Sequence, residues 1–334
     1  MDVLGNRISP VSRPRRILVL DAVDLYAVSA LVPEPAEHII GVAGLARLDL
    51  GKDATKLAQD MPVVGKLTPD TVSVEAILAL QPDLVVASAY MLPPDGGVAL
   101  LEHLRQSGIP VAWTSGHDVA LPPAESLQRV MTFWGEVLGQ QTRAEELVSI
   151  GLARLGAVRT RTRDVIRPRV FMEIMTTYND CCWSAGRAFW GPLFDLVGGE
   201  LLAISDGWGD KLSVEGLMAL APEVYVATGG SYASHTRPPI GPGLDRVTGQ
   251  AGLQRAANRL ALASSPAVKN GRVHGIWSGL ASSPLFMPVL AECLGKWLHP
   301  HACEDLSPTR TLRALNRYLS YPLSAPLWLS LEDK

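Results

Sequence analysis

Cysteine is scarce in this sequence: four residues in 334, two adjacent (Cys181, Cys182) and two far downstream (Cys293, Cys303). So few exclude a disulfide-built scaffold, and without paired C-x-x-C spacing they do not form a zinc site of the usual kind. Histidine is also sparse, and of its seven copies only His299 and His301 lie close together, in a Pro-containing segment where exposure is expected. Positive charge is not in surplus. Thirty basic against thirty-three acidic side chains leave a net charge of −3, without the excess needed to neutralise a phosphate backbone, so nucleic acid is not an expected partner. No apolar run reaches the ~18 residues required to cross a bilayer. Arg13, Arg15 and Arg16 ahead of Ile17–Leu20 imitate a secretory signal, but Asp21 and Asp24 interrupt the apolar stretch and a first β-strand explains it better.

Catalytic and nucleotide motifs are missing too. Gly44 and Gly51-Lys52 enclose six residues, not the four of a phosphate-binding loop, and no Ser or Thr follows Lys52. The first strand continues as Asp21-Ala-Val-Asp-Leu-Tyr26 with no G-x-G-x-x-G, and neither G-x-S-x-G nor H-E-x-x-H occurs. These absences favour binding over chemistry, and no enzyme is expected.

What the chain does have is apolar material, 47% of residues against 19% charged, and a length that favours two domains of about 150 residues each. Buried strands are expected at residues 16–21, 38–43, 83–88 and 110–114, with helical patterns between them, and a second series at 169–174, 223–228 and 271–276. Strand and helix alternation predicts an α/β fold of two Rossmann-like lobes with mainly parallel sheets. The stretch between them is helical, with Thr142 and Glu145 matching a capping box ahead of Leu147, Val148, Leu152, Leu155 and Val158. The expected organisation is an N-terminal lobe over 14–122, a bridging region over 123–163 built on a single long helix, a C-terminal lobe over 164–304 and a helical extension over 305–334, with a ligand cleft between the lobes.

An internal repeat supports two lobes on one plan. Residues 73–88 (SVEAILALQPDLVVAS) and 213–228 (SVEGLMALAPEVYVAT) align without a gap at an offset of 140, and eight of the sixteen positions are identical. Each copy reads as a Ser N-cap, a short helix with Glu in its first turn, a Pro that stops it, an acidic residue and a buried strand. A carboxylate at that helix position is favoured by the macrodipole wherever the helix lies.

These paired segments, the bridging helix, the run from Gly186 to Gly199 and the late Lys269-Asn-Gly-Arg-Val-His-Gly-Ile-Trp277 resemble the helical-backbone class of ABC-transporter substrate-binding proteins, which capture ferric siderophores, haem or cobalamin. The resemblance covers about residues 15–300. It implies a monomeric periplasmic protein, its signal segment not included in these 334 residues. Such a protein binds a ferric siderophore, hydroxamate or carboxylate type favoured, and delivers it to an ABC permease. It further implies that Glu75 and Glu215 dock on permease arginines, and that aromatic residues near Tyr90, Trp208 and Trp277 face the ligand. No cofactor and no directly bound metal are expected, the Fe(III) chelate being cargo.

Further candidates come from loops that leave strand ends. Tyr178, Trp183, Arg187 and Trp190 would supply a cation and aromatic faces, a set that suits a chelate with a partly apolar periphery and oxygen donors. Arg47, Lys66, Tyr232 and Arg237 complete it, the last two on a Gly/Pro-rich insertion over 231–245 that would line the site or shield it. The cysteines stay open: Cys181-Cys182 as a surface dipeptide, buried thiols or a bridge to a distant cysteine, and Cys293 with Cys303 as a candidate disulfide. The alternatives are a haem or cobalamin carrier, a nitrogenase-like two-lobed metalloenzyme, which would need cysteine ligands for an iron–sulfur cluster, and a zinc or manganese carrier built on converging His and carboxylate ligands.

Overall fold

A computed structural model describes residues 1–8, 13–50, 57–58, 61–66, 69–88, 98–115, 121–179 and 181–332. The first strands form where apolar, mostly β-branched residues run without a polar break. They are β1 (Ile17–Val19), β2 (Ile39–Ala43), β3 (Val63–Gly65), β4 (Leu84–Ala87) and β5 (Val111–Trp113). They pair in the order β3-β2-β1-β4-β5, all parallel. Every residue of β1 and β4 is buried, as a parallel sheet covered on both faces requires.

The second sheet contains β6 (Arg169–Glu173), β7 (Trp183–Ala185), β8 (Glu200–Leu201), β9 (Gly209–Lys211), β10 (Val224–Gly229), β11 (Val273–Trp277) and β12 (Trp328–Ser330). Its order is β12-β11-β10-β6-β7-β9, with β8 beside β6. The central β11, β10 and β6 are parallel, while β7, β9 and β12 add antiparallel edges. The tail expected to be helical thus supplies both a helix, Pro308–Asn316, and the edge strand β12.

The connection expected as one helix is built from two, Pro123–Leu138 and Gln141–Thr162. Gly139, at φ 68°, ends the first in the left-handed conformation that glycine adopts without steric cost. The second spans 22 residues, about 33 Å at 1.5 Å per residue. Thr142 lies inside it and caps nothing, because the helix starts one residue earlier from Gln140, whose side chain makes no capping bond. Both repeat helices do begin as expected: Ser73 Oγ accepts from Ala76 N–H (3.1 Å) and Ser213 Oγ from Gly216 N–H (3.0 Å).

Period-two alternation gives the first sheet two faces. Leu18, Leu20, Val85 and Ala87 pack with Ile77 and Leu104 of the helices Val74–Ala79 and Val98–Gln106. Ile17, Val19, Val42 and Val86 point the other way, into one apolar cluster that continues through Trp134 and Leu155 to Phe171, Val226 and Leu329 of the second sheet. The lobes therefore share a core.

Asp49 adds a polar tie. It leaves the 3₁₀ turn Leu45–Leu48 after β2 at φ 52°. Its Oδ1 accepts from Ser231 Oγ (3.0 Å) and Tyr232 N–H (2.7 Å), its Oδ2 from Ser278 Oγ (2.6 Å), and its carbonyl from Trp277 Nε1 (3.1 Å). Gly230 permits this approach, since a Cβ there would lie 1.7 Å from Asp49 Oδ2. Replacing Asp49 by Ala strands three donors. The expected loss is about 2–4 kcal/mol of folding stability in a guanidinium titration, and Gly230→Ala should reproduce it by displacing the carboxylate.

Candidate ligand-binding cleft

Strand ends of both sheets open onto a cleft between the lobes that is divided into two chambers. The larger, about 460 Å³, is floored by Asp21, Asp24, Arg47, Ser88 and Thr114 and walled by Val23, Val130, Phe189, Trp190, Leu193 and Trp208. The smaller, about 310 Å³, is lined by Thr176, Thr228, Tyr232, Arg237 and Ser278. Arg47, Trp190, Trp208, Ala281 and Ser282 border both, so the chambers are halves of one site. Their volumes suit a small organic ligand.

The polar groups on the floor of the larger chamber are held by their neighbours. Asp21, two residues past the end of β1, accepts from Arg47 Nε (2.8 Å) and Val23 N–H (3.2 Å) at Oδ1 and from Ser88 Oγ (2.6 Å) at Oδ2. Asp24 accepts from Thr114 Oγ1 (2.8 Å) and Trp134 Nε1 (3.3 Å). Burial, together with the charge of Asp21, pushes the Asp24 carboxyl up to about 7. Arg47 sits on the turn between two left-handed residues, Gly44 at φ 70° and Asp49. Trp190 and Trp208 are locked together, the carbonyl of Trp208 accepting from Trp190 Nε1 (3.1 Å) and Gly186 N–H (2.9 Å). Gly186 is needed there, because a Cβ would lie 2.0 Å from the Gly207 carbonyl.

The smaller chamber is closed by the insertion after β10, where Gly230 N–H meets the Pro238 carbonyl (2.9 Å). Arg237 lies just before that closure. Its Nε is buried and has no hydrogen-bond partner among the described residues, and burial holds the guanidinium below its ordinary value, against the opposing pull of Asp49.

Of the expected ligand residues, the structure brings Arg47, Trp190, Trp208, Tyr232 and Arg237 together at the cleft. Trp277 is not among the lining residues. It is fully buried, edge-on to Tyr26, with its indole N–H on Asp49, so it belongs to the lobe junction. Arg187 points to solvent, 3.9 Å from an exposed Asp206. Tyr178 is half-buried under the Arg255 guanidinium (4.2 Å), Trp183 packs against the core, and Lys66 is exposed, its N–H on Thr71 Oγ1; none of the three lines either chamber. Tyr90 lies outside the described residues. Asp21, Asp24 and Asp49 were not among the expected site residues, although an acid at the end of a fully buried apolar run is a signal that could have found Asp21.

The cysteines depart from every expected pairing. Cys182 is fully buried and Cys181 half-buried in the hairpin between β6 and β7, and Cys293 and Cys303 are two buried free thiols and not a disulfide. His299 is buried rather than exposed, with Nε2 at 3.1 and 3.0 Å from the carbonyls of Val197 and Gly198.

The profile of the periplasmic binding protein family matches residues 28–278. The chain belongs to this family. No curated protein matches it. Among solved structures, it is similar to the TroA-like periplasmic binding protein FepB from Veillonella parvula (22% identity, 99% of each chain, TM-score 0.81). It is also similar to the molybdate periplasmic binding protein MolA of Haemophilus influenzae (19% identity, 97% of this chain and 98% of the other, TM-score 0.75). A periplasmic heme-binding protein from Pseudomonas aeruginosa follows at 20% identity, 95% and 98% coverage and a TM-score of 0.63. Periplasmic binding proteins of this type bind a ligand and hand it to an ABC permease. Among the described residues, no helix is long and apolar enough to cross a membrane.

In this periplasmic binding protein the floor of the larger chamber titrates near neutrality. The folded chain keeps the Asp24 proton up to about pH 7, whereas the unfolded chain releases it near pH 4, so folding stability falls as pH rises through that window and the full cost is present above it. Asp24→Asn removes the titration. Its melting temperature should match the wild type near pH 4 and exceed it at pH 8, by an amount equivalent to roughly 2–4 kcal/mol.

Proposed function

We propose that this protein captures an iron(III) chelate, a hydroxamate or carboxylate siderophore, in the two-chambered cleft and delivers it to an ABC importer in the periplasm, without chemistry of its own. The observation that carries this reading is Arg237, a half-buried side chain whose Nε is buried without a hydrogen-bond partner in a chamber also lined by threonine and serine side chains. Such a group calls for an anionic oxygen ligand, and the Trp190 and Trp208 rings between the chambers offer apolar cover for an organic shell. A second reading, haem, is favoured by one residue: the Tyr232 phenol lines the smaller chamber, and a tyrosinate can hold haem iron.

Delivery rests on Glu75 and Glu215. Both are exposed in the first turns of the equivalent helices Val74–Ala79 and Val214–Leu220, and neither lines the cleft. The Glu75 carboxyl is held below its ordinary value by a backbone N–H and by Ser73 Oγ. These charges are free to meet arginines of a permease.

Tryptophan quenching against a panel of ferric hydroxamates, ferric citrate and hemin tests the ligand class. One ferric chelate should bind, and Arg237→Ala and Trp208→Ala should each weaken it by roughly ten- to a hundredfold. A Soret band on hemin titration that Tyr232→Phe abolishes would decide for haem. The Glu75→Lys, Glu215→Lys double variant should keep its affinity in solution and lose uptake in vesicles carrying the permease, because like charges are brought together. Uptake at the wild-type rate would remove the docking role.

A further inference from the structure

The floor of the larger chamber holds a carboxyl with no cation of its own. Asp21, Asp24 and Arg47 are its charged residues, and every other described residue that lines the chamber is uncharged. The Arg47 guanidinium is aimed at Asp21, with Nε 2.8 Å from Oδ1. Asp24 instead accepts from two neutral groups, the Thr114 hydroxyl at the end of β5 and the Trp134 indole of helix Pro123–Leu138. Asp21 and Arg47 both face Asp24 and act on it in opposite directions, so neither supplies a net counter-charge. A buried carboxylate without a cation has lost its hydration and gained little in exchange.

The walls point to the same missing charge. Helix Arg187–Leu196 and the segment before β9 bring Phe189, Trp190 and Trp208 to the chamber. Trp190 is buried edge-on to Phe189, ring centroids 5.2 Å apart, whereas Phe189 and Trp208 stay 45% and 40% exposed. Large rings left open around a cavity offer their negative faces to an organic cation, indole most strongly. An anion entering here would meet an ionised carboxylate, and an uncharged group would leave it uncompensated. Only a cation gains from both the rings and the floor. The smaller chamber has the opposite character, with the buried Arg237 Nε unpartnered among the described residues, and Trp190 and Trp208 border both chambers. The cleft as a whole is therefore polarised from one end to the other.

We propose that the larger chamber is a subsite for a primary ammonium group, which meets Asp24 beneath the Phe189 and Trp208 rings, and that the cargo is a ferric chelate carrying a protonated amine at the end remote from Arg237. The choice of chelate rests on the function proposed above, but the ammonium subsite does not. Its signature is a proton. Burial holds the Asp24 carboxyl up to about 7, and a cation beside it favours the ionised form. Binding therefore expels a proton near neutrality, and affinity for an ammonium rises as pH rises through that range and levels off above it. A neutral ligand of the same shape shows no such dependence.

The test titrates the full chain with hexylammonium and with hexanol, alike in shape and different in charge, and follows tryptophan quenching. At pH 8 the ammonium should bind about tenfold more tightly than the alcohol, and at pH 5.5 the preference should vanish. Calorimetry at pH 7 in two buffers of different ionisation enthalpy should count about half a proton released per ammonium bound. Asp24→Asn should bind the two probes alike at either pH, and if that variant does not fold, the pH series and the proton count of the wild type decide. Equal binding of the probes at pH 8, a preference that survives in Asp24→Asn, or no saturable binding of hexylammonium would overturn the proposal. A linear ferric trihydroxamate ending in a primary amine should bind about tenfold more tightly at pH 8 than its N-acetylated form, an arm that rests on the proposed ligand class. Equal binding of those two chelates also overturns the proposal. Binding of neither counts against the ligand class and leaves the hexylammonium series to decide on the subsite.

Discussion

The geometry of the cleft depends on one carboxylate. Asp49 belongs to the first sheet by sequence and to the second by its hydrogen bonds, and it joins the turn that carries Arg47 to the loop that carries Tyr232 and to Ser278 at the start of the helix after β11. A buried carboxylate is costly unless its lone pairs are used, and here three donors and the absence of a Gly230 side chain meet that requirement. Beneath the tie runs an apolar cluster common to both sheets. The two chambers are thus a gap left in one packed body.

Polarity within that gap is divided. The floor of the larger chamber combines two carboxyls with one guanidinium under aromatic walls, whereas the smaller sets Arg237 among hydroxyls. Low dielectric strengthens both ends: it raises the Asp24 carboxyl and lowers the Arg237 guanidinium, each toward its neutral form. An occupant that brings opposite charge relieves that penalty at either end, so recognition and desolvation act on the same side chains.

The central strands were legible because they are short, apolar and fully buried, and the repeat helices because Ser, Glu and Pro each have a mechanical reason to stand where they do. The edges were not. Trp183–Ala185 and Gly209–Lys211 are three residues each, too short to carry a readable period, and Trp328–Ser330 is defined only by the β11 backbone it pairs with. At the site, side-chain type found Arg47, Trp190, Trp208, Tyr232 and Arg237 but misjudged Trp277, since an indole gives no sequence sign that its N–H will meet a carbonyl 228 residues away. The three aspartates were hidden for the same reason: the groups that hydrogen-bond to each lie far away in sequence. Thr142 shows the converse, a local capping pattern overruled by the helix beginning one residue earlier.

The shared core also has a thermodynamic meaning. Two sheets with separate cores would each open with a free energy of its own, but here the ring of Tyr26 is buried edge-on to Trp277 and Phe286 of the other half, within an apolar cluster that both halves build. Exposing one sheet strips apolar cover from the other. Neither half owns a complete interior, and heat should take them apart in one cooperative transition, with the bridging helices melting as part of the body they appear only to connect.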